Sequence, residues 1–288
     1  MGSDELRLLH VHAHPDDEAS KGAATTAYYV NQGVTVLVAT CTGGELGSIL
    51  NPKLDTGKNR ENLAELRKAE MKRAAEILGI QQIWLGFADS GFPDSDNPEP
   101  LDPNAFAAQD VSQAAGRLVK VIREFRPQVI TSYNENGGYP HPDHLMAHKI
   151  TFAARIAAAD PELWPEHGSV WEVSKHYYDV TFHRRRMIAL DDAMAERGLG
   201  RPYTERLTRP RDPLEDSRLT TFIECADYFD IRSQALLAHA TQVDPDGFWF
   251  MVPIDIQKQA WPTEDFQLAW SNVKTQIPEN DLFAGLRL

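Results

Sequence analysis

Helical stretches that end at a glycine, each followed by a short strand-like run, recur in the first half of this 288-residue chain. One helical pattern ends at Gly33, before the run of residues 34–40, and a longer one ends at Gly79, before residues 82–85. Glycine just past a helix end readily adopts the left-handed conformation that terminates helices. Alternating strands and helices form right-handed βαβ crossovers. Residues 1–159 are therefore predicted to form an α/β, Rossmann-like, mainly parallel sheet flanked by helices.

In the second half this alternation weakens. Pro161 and Pro165 interrupt the chain, and the clearest remaining signals are a strand over residues 175–182 and a helix over residues 231–239. The sequence predicts that residues 160–288 form an elaborated C-terminal α+β part, which completes the fold and shapes a substrate cleft. A length of 288 residues suits one integrated domain of this kind.

Composition argues against several classes of protein. The net charge of −13 makes nucleic acid an improbable partner, because phosphate backbones are bound by clustered lysine and arginine. The run Arg184-Arg185-Arg186 is interpreted as a solvated helix start. There is no apolar run of membrane-spanning length and no signal peptide, so we expect a cytoplasmic protein without a membrane partner. Cys41 and Cys225 form no pairing pattern and are interpreted as small buried hydrophobes in a reducing compartment.

Two histidine-rich segments each follow a predicted strand. His12-Ala-His14-Pro-Asp16-Asp17-Glu comes after the apolar run of residues 6–11. Gly137-Gly-Tyr139-Pro-His141-Pro-Asp143-His144 comes after the run of residues 128–133. Loops beyond the carboxyl ends of parallel strands converge on one crevice, however far apart they lie in sequence. We therefore expect the two segments to form a single hydrolytic metal site.

The residue types indicate a catalytic metal. His14 and Asp17 lie three positions apart across a turn that contains a proline, and His144 completes a His-Asp-His set. Imidazole and carboxylate suit Zn²⁺ or Fe²⁺, and three protein ligands leave one coordination position for a water whose pKa the metal lowers. Asp16 is then the natural general base. For the Asp16-Asp17 pair alone, helix capping is the competing interpretation.

The second segment supplies groups that can face whatever the metal binds. A phenol at Tyr139 or an imidazolium at His141 can stabilise the oxyanion of acyl transfer. Asp143 can orient His141 and keep it protonated, as in a hydrogen-bonded dyad. For Tyr139, loop packing after two glycines is an equally good explanation.

These motifs resemble those of the LmbE-like, or PIG-L, family of zinc-dependent N-acetylglucosaminyl deacetylases. The resemblance covers most of the chain. Its motifs are His14-Pro-Asp16-Asp17-Glu, Cys41-Thr-Gly-Gly44-Glu, Gly86-Phe-Ala-Asp89, His141-Pro-Asp143-His144 and Ala238-His-Ala-Thr-Gln242. Within the family, the chain is most similar to the branch of actinobacterial mycothiol S-conjugate amidases.

The resemblance implies a mononuclear zinc amidase with one metal per chain, although a ligand set of this kind accepts Fe²⁺ as well. The implied ligands are His14, Asp17 and His144. Asp16 would be the general base, and Tyr139 and His141 would serve the oxyanion and the leaving group. The proton for the leaving amine would come from Asp16 or from His141, and the motif leaves this choice open.

Substrate contacts are implied by the same resemblance. The sugar and inositol contacts would fall on Glu45, Arg67 and Asp89, and Lys21 would contact the cysteinyl part of the substrate. Without the resemblance, Arg67 is interpreted as part of a salt-bridged helix surface. Leu46 stands where much of the branch is expected to have arginine, which affects the details of substrate selection.

The implied reaction is hydrolysis of the amide that joins an N-acetylcysteine S-conjugate to glucosaminyl inositol. It would release a mercapturic acid and the aminosugar, and so remove electrophiles from the cell. The partner is then a small thiol-sugar conjugate, while the preferred S-substituent and the oligomeric state, a homo-oligomer included, stay open.

Several alternatives share parts of this pattern. A deacetylase acting on N-acetylglucosaminyl inositol, or a natural-product biosynthetic paralogue, would keep every ligand. A non-catalytic metal-dependent sugar-binding protein would have no need of the spare acid Asp16. A dinuclear phosphoesterase would use His12 and His148 as further ligands. A dinucleotide-binding oxidoreductase fits worst, because the first loop lacks GxGxxG.

Overall fold

The computed structural model describes residues 5–93, 100–210 and 213–287. Its strands are β1 (Arg7–His12), β2 (Thr35–Thr42), β3 (Gln81–Phe87), β4 (Val129–Ser132), β5 (Lys175–Asp179), β6 (Thr221–Glu224) and β7 (Thr263–Ser271). They form one seven-stranded sheet in the order β3-β2-β1-β4-β5-β7-β6. Strands β1 to β5 pair in parallel, whereas β7 runs antiparallel to β5 and β6. The predicted mainly parallel α/β sheet is confirmed.

Helices flank this sheet. They are α1 (Asp17–Ser20), α2 (Ala23–Asn31), α3 (Gly57–Glu61), α4 (Leu63–Leu78), α5 (Val111–Phe125), α6 (Pro142–Ala158), α7 (Arg184–Glu196), α8 (Thr204–Leu207), α9 (Glu215–Arg218), α10 (Phe229–Ala238) and α11 (Ile254–Ala260). Gly33 and Gly79 follow helix ends at φ 80° and 70°, as predicted. The helical pattern that ends at Gly33 is α2, and Gly22 at φ 80° separates it from the short α1. Arg184 begins α7, which agrees with its interpretation as a helix start.

The strand order places a crevice beside β1. Strand β1 lies between β2 and β4, so the chain passes to opposite sides of β1 as the sheet is built. In open α/β sheets, the crevice at such a reversal of strand order lies beyond the carboxyl ends of the strands and is the usual ligand site. His12 and Ser132 end β1 and β4 at this edge, and each is followed by one of the histidine-rich segments.

Alternate residues of β1 enter two separate apolar layers. Leu9 and Val11 are fully buried against α5 and α6, together with Ile122 and Ile150. Leu8 points to the opposite face of the sheet and belongs to the cluster that includes Phe283. A strand covered on both faces buries apolar residues on each, which explains why Leu8 and Leu9 are adjacent in β1.

The C-terminal part contributes strands β5, β6 and β7 to this same sheet. Beneath them, the buried Lys175 donates from Nζ to Glu279 Oε1 at 2.5 Å, and Tyr177 donates to Glu279 Oε2 at 2.7 Å. Cys41 and Cys225 are both free and buried, as expected. Among the helices of the described ranges, none is long and apolar enough to cross a membrane.

Candidate active site

The two histidine-rich segments meet at the carboxyl ends of β1 and β4. Ligand atoms of His14, Asp17 and His144 all lie within 4.8 Å of one another. Asp17 Oδ2 is 3.6 Å from His14 Nδ1 and 3.5 Å from His144 Nε2. The structure therefore brings together the three residues that the sequence predicted as a ligand set, although His144 lies more than a hundred positions after His14 and Asp17.

Hydrogen bonds orient both histidines toward Asp17. His144 donates from Nδ1 to the carbonyl oxygen of Gly137 at 2.8 Å, and its buried Nε2 has no hydrogen-bond partner among the described residues. His14 Nε2 donates to Asp143 Oδ2 at 3.2 Å, which leaves Nδ1 facing Asp17. Metal-bound histidines usually donate their second nitrogen to an oxygen in this way. Since a buried nitrogen without a partner is costly, the arrangement fits a metal ion.

The electrostatics of this cluster also favour a cation. Burial by itself would lower the pKa of His14, but hydrogen bonds to nearby carboxylates raise it well above its ordinary value. Those carboxylates belong to Asp143, Asp17 and Asp89. Burial would raise the pKa of Asp17, yet Lys21 and the neighbouring histidines hold it well below its ordinary value. A site that stabilises positive charge on His14 would attract a divalent ion for the same reason.

Two residues outside the predicted set hold the Asp17 carboxylate. Tyr133 donates its hydroxyl to Asp17 Oδ2 at 2.5 Å and accepts from the Ala13 amide at 2.7 Å. Lys21 Nζ donates to Asp17 Oδ1. Sequence reasoning identified Lys21 only as a substrate contact and missed Tyr133. The position of Tyr133 at the end of β4 was the available signal.

Replacement of Tyr133 by phenylalanine is expected to weaken metal binding by about 10- to 100-fold, the usual effect of losing a residue that orients a metal ligand. The ring still fills the same space, so the fold should be retained. Competition with a chromophoric chelator measures the affinity. Tyr178→Phe is the matched control, because Tyr178 packs on His148 and His176 instead. Equal affinities for the two variants would show that the Tyr133 hydroxyl does not support the ligand.

A second cluster that can hold a metal shares His14. Its members, His14, Asp89 and His141, also have ligand atoms within 4.8 Å of one another. Asp89 Oδ1 lies 3.7 Å from His14 Nε2, so a residue predicted as a substrate contact adjoins the metal cluster. Asp89 follows β3, another parallel strand of the same sheet, so it lies at the same edge as His14.

Asp16 has an unusual backbone and a free side chain. Its φ is 109°, outside the regions that most residues occupy, and such a conformation costs about 1–3 kcal/mol. The side chain does not cap α1, and no hydrogen bond from the described residues holds its carboxylate. Burial and, secondarily, the charge of Asp17 raise the pKa of Asp16 to about 6. Asp16 therefore occupies the N-cap position of α1, but its side chain makes no capping hydrogen bond.

The predicted dyad of Asp143 and His141 does not form. Asp143 Oδ2 instead accepts from His14 Nε2 and from the Ser90 amide, at 3.2 and 3.0 Å, and Ser90 Oγ donates to Asp143 Oδ1. His141 is the N-cap of α6, where its Nδ1 accepts from the Asp143 amide at 3.1 Å. Burial, with the nearby His14, lowers the pKa of His141 to about 4. The prediction failed because capping and the neighbouring loop determine how Asp143 points.

Tyr139 lies at the mouth of the cluster. Its side chain is 48% exposed, and its ring centre is 4.6 Å from that of His144 and 6.0 Å from that of His141. Burial, followed by the charges of Asp17 and Asp16, raises its pKa, so the phenol stays protonated. The hydroxyl is thus a hydrogen-bond donor beside the cluster.

The remaining predicted contacts surround the loop after β2. Asp89 Oδ2 accepts from the Leu46 amide, and Glu45 Oε1 accepts from the Asp89 amide, both at 2.9 Å. Arg67 is 4% exposed and donates to the carbonyl oxygens of Gly44 and Ser48. Its interpretation as a surface residue is therefore wrong. The helix carries it inward to hold this loop.

The further ligands of a dinuclear site do not assemble. Neither His12 nor His148 belongs to a metal-capable cluster within the described ranges. His12 is buried with both ring nitrogens unpartnered, and His148 Nδ1 donates to the Tyr133 carbonyl oxygen at 3.0 Å. Within the described ranges, His12 and His148 therefore do not extend the metal cluster.

Known proteins show what this arrangement is similar to. Residues 9–155 match the model of the family described as PIG-L, GlcNAc-PI de-N-acetylase. Mycothiol S-conjugate amidase from Streptomyces coelicolor is 57% identical over 289 residues, covering 99% of each chain. 1D-myo-inositol 2-acetamido-2-deoxy-alpha-D-glucopyranoside deacetylase 1 from Frankia alni is 37% identical, covering 96% of this chain and 99% of the relative.

A solved structure with the same fold is N,N'-diacetylchitobiose deacetylase from Pyrococcus horikoshii, with a TM-score of 0.62 and 17% identity. The match covers 92% of this chain and 84% of that one. At this identity the likeness concerns the fold alone. The family match over half of the chain and the relatives aligned along its whole length show that the protein belongs to the PIG-L family of GlcNAc-PI de-N-acetylases.

Proposed function

We propose that this chain hydrolyses the amide bond of mycothiol S-conjugates, releasing a mercapturic acid and glucosaminyl inositol in the detoxification of electrophiles. The observation that carries the proposed reaction is the cluster of His14, Asp17 and His144, together with the adjacent residue Asp16, whose carboxylate accepts no hydrogen bond from the described residues. The choice of substrate is supported by the 57% identity to the Streptomyces coelicolor amidase over 99% of both chains.

The metal of this proposal is zinc, held by His14, Asp17 and His144, and a His₂-carboxylate set accepts Fe²⁺ as well. Bound there, the ion would polarise the scissile carbonyl and make water more acidic. Asp143 fixes the ring orientation of His14, and the Gly137 carbonyl oxygen fixes that of His144. Tyr133 fixes the carboxylate of Asp17. These supporting contacts preorganise the ligands before a metal binds.

Asp16 would take the proton from the attacking water. Its carboxylate accepts no hydrogen bond from the described residues. A general base works best when its pKa lies near the operating pH, and the pKa of Asp16 is raised to about 6. His141 accepts at Nδ1 from the Asp143 amide, so the proton of its neutral ring lies on Nε2. That N–H and the Tyr139 hydroxyl can donate to the oxyanion. Asp16, having taken the proton of the water, would return it to the leaving amine, whereas His141 could supply a proton only as an imidazolium, because loss of the Nε2 proton from its neutral ring would leave an imidazolate.

The substrate contacts proposed for the sugar and inositol hydroxyls are Glu45, Arg67 and Asp89, and Lys21 would contact the cysteinyl part. Asp89 adjoins His14, so the sugar would lie against the metal cluster. We place the reaction in the cytoplasm. The two free, buried cysteines suit that reducing compartment.

The test compares amine release from a mycothiol S-conjugate and from N-acetylglucosaminyl inositol, using protein of known metal content. We expect faster cleavage of the conjugate by protein that carries one zinc per chain, and loss of activity when the metal is removed by a chelator. Full activity after complete metal removal would contradict the proposed site.

The second candidate function is the deacetylation of N-acetylglucosaminyl inositol. The relatives that favour it, including the Frankia alni deacetylase at 37% identity, align with nearly the whole chain. Every proposed ligand would be shared. Faster release of acetate than of the mercapturic acid in the same assay would assign the chain to this reaction.

A further inference from the structure

A buried motif beside the metal loop has no part in the roles proposed above. Ala238-His-Ala-Thr-Gln242 begins with the last residue of α10, and the side chains of His239, Thr241 and Gln242 are buried. Buried polar groups of folded proteins are nearly always hydrogen-bonded. The partners of these three side chains therefore indicate what the motif holds in place.

His239 binds Glu18, the second residue of α1. Its Nε2 donates to Glu18 Oε1 at 2.6 Å, and the two side chains are 0% and 2% exposed. Gln242 donates from its amide nitrogen to Nδ1 of the same ring at 3.2 Å. The hydrogen bond at one ring nitrogen of a histidine decides whether the other carries the proton. Gln242 therefore places the proton of His239 on Nε2, which faces Glu18.

The other oxygen of Glu18 holds the backbone of Asp16. Glu18 Oε2 accepts from the Asp16 amide at 3.0 Å. The φ of 109° at Asp16 is a conformation that persists only where surrounding contacts maintain it. Since the carboxylate of Asp16 accepts no hydrogen bond from the described residues, its direction depends on the backbone that carries it. Glu18 thus acts on the orientation of Asp16 through the main chain.

The rest of the motif is attached to other elements of the fold. Thr241 donates its amide and its hydroxyl to the two carboxylate oxygens of Glu70 on α4, both at 2.7 Å. The carbonyl oxygen of Thr241 accepts from the Leu50 amide, in the segment between β2 and α3, at 2.8 Å. Helices α1, α4 and α10 also contribute to one buried apolar cluster. These contacts hold His239 in place independently of the metal loop.

We infer that Glu18 and His239 are positioning residues, which hold the backbone of Asp16 at its positive φ so that the carboxylate stays oriented for proton transfer. Neither residue needs to touch the substrate for this purpose. A displacement of about 1 Å in a catalytic group can slow a reaction about 100-fold, so a defect in this support should reduce turnover. The inference rests on the proposed role of Asp16 as the general base.

The test begins with His239→Leu, which removes the donor to Glu18. Turnover of the mycothiol S-conjugate should fall by about 10- to 100-fold in kcat, the usual effect of losing a residue that orients a functional group. KM and metal content should stay close to wild type, because a displaced base slows proton transfer and leaves substrate and metal binding intact. His239→Gln should recover most of the loss, since its amide can donate to Glu18 from nearly the position of Nε2.

His183→Leu is the matched control. His183 Nε2 donates to Asp265 Oδ2 at 2.7 Å, and both side chains are buried. Neither residue belongs to a metal-capable cluster within the described part of the chain. This variant loses the same kind of buried bond, so any loss of stability should be similar, but kcat per folded protein should be unchanged.

The same substitution in the Asp16→Asn background shows whether His239 acts through Asp16. His239→Leu should then slow the reaction by less than about twofold, because two residues that act through one group are not additive. A further loss as large as in the wild-type background would overturn the inference. Wild-type kcat in folded His239→Leu would do so as well, and so would a loss confined to KM or to metal content.

Two further results complete the design. If His239→Leu does not fold, Glu18→Met provides the same comparison, because it removes the acceptor of the Asp16 amide and leaves no unpaired charge beside the neutral His239. Wild-type turnover in Asp16→Asn would overturn the proposed base together with the inference. A slow Asp16→Asn protein with a fully active His239→Leu protein would overturn the inference alone.

Discussion

Replacement of Asp16 by asparagine is expected to lower kcat by at least about 100-fold, the lower end of what general-base catalysis contributes. The amide has the size of the carboxyl group but cannot accept the proton of the attacking water. Asparagine also tolerates a positive φ better than most residues, so the backbone of Asp16 at φ 109° should be preserved. Steady-state rates with metal content measured on the same sample provide the readout.

The metal content decides how this result is understood. Because Asp16 is not one of the three proposed ligands, the variant should still bind one metal per chain. Asp55→Asn is a suitable control, since Asp55 pairs with the exposed Arg60 and belongs to neither metal-capable cluster. A fully metal-loaded Asp16→Asn protein with wild-type turnover would contradict the assignment of Asp16 as the base.

The second large effect concerns stability. Replacement of Lys175 by methionine should lower the free energy of unfolding by about 3–5 kcal/mol, because it leaves Glu279 as an unpaired charge in the interior. Lys175 is completely buried, and its Nζ donates to Glu279 at 2.5 Å and to the Ala284 carbonyl oxygen at 3.0 Å. Urea denaturation followed by circular dichroism measures the change.

An exposed ion pair provides the matched control. Lys258 donates to Asp230 at 2.6 Å, with both side chains partly in solvent, so Lys258→Met should cost less than about 1 kcal/mol. Changing Glu279 to glutamine in the Lys175→Met background should recover part of the loss, because the unpaired charge is then removed. A loss below about 1 kcal/mol for Lys175→Met would show that the buried pair does not stabilise the fold.

The same denaturation curves bear on domain organisation. We propose that residues 160–288 complete one domain with residues 1–159, since strands from both parts share a single sheet. Asp281 near the C-terminus also accepts from Tyr29 of α2 at 2.9 Å. One cooperative transition is therefore expected for the whole chain. Two separate transitions would contradict this proposal.

Features that depend on residues adjacent in the sequence were predicted from the sequence. Gly33 and Gly79 end helices because glycine accepts a positive φ at little cost, and β-branched runs form the buried parallel strands. The convergence of His14, Asp17 and His144 was also predictable, since each follows a strand of one parallel sheet. These predictions needed only local conformational preference and the general geometry of α/β sheets.

The hydrogen bonds that orient the residues of the site were decided by the tertiary structure. Asp143 binds His14 and Ser90 instead of His141, Tyr133 holds Asp17, and Arg67 turns inward to the loop after β2. In each case the partner lies on a different strand or loop, and a side chain can point to several neighbours from one sequence position.

The positions of these residues after predicted strands therefore determined that they lie at one edge of the sheet. Only the packing of the folded chain determined which of their side chains form hydrogen bonds with one another.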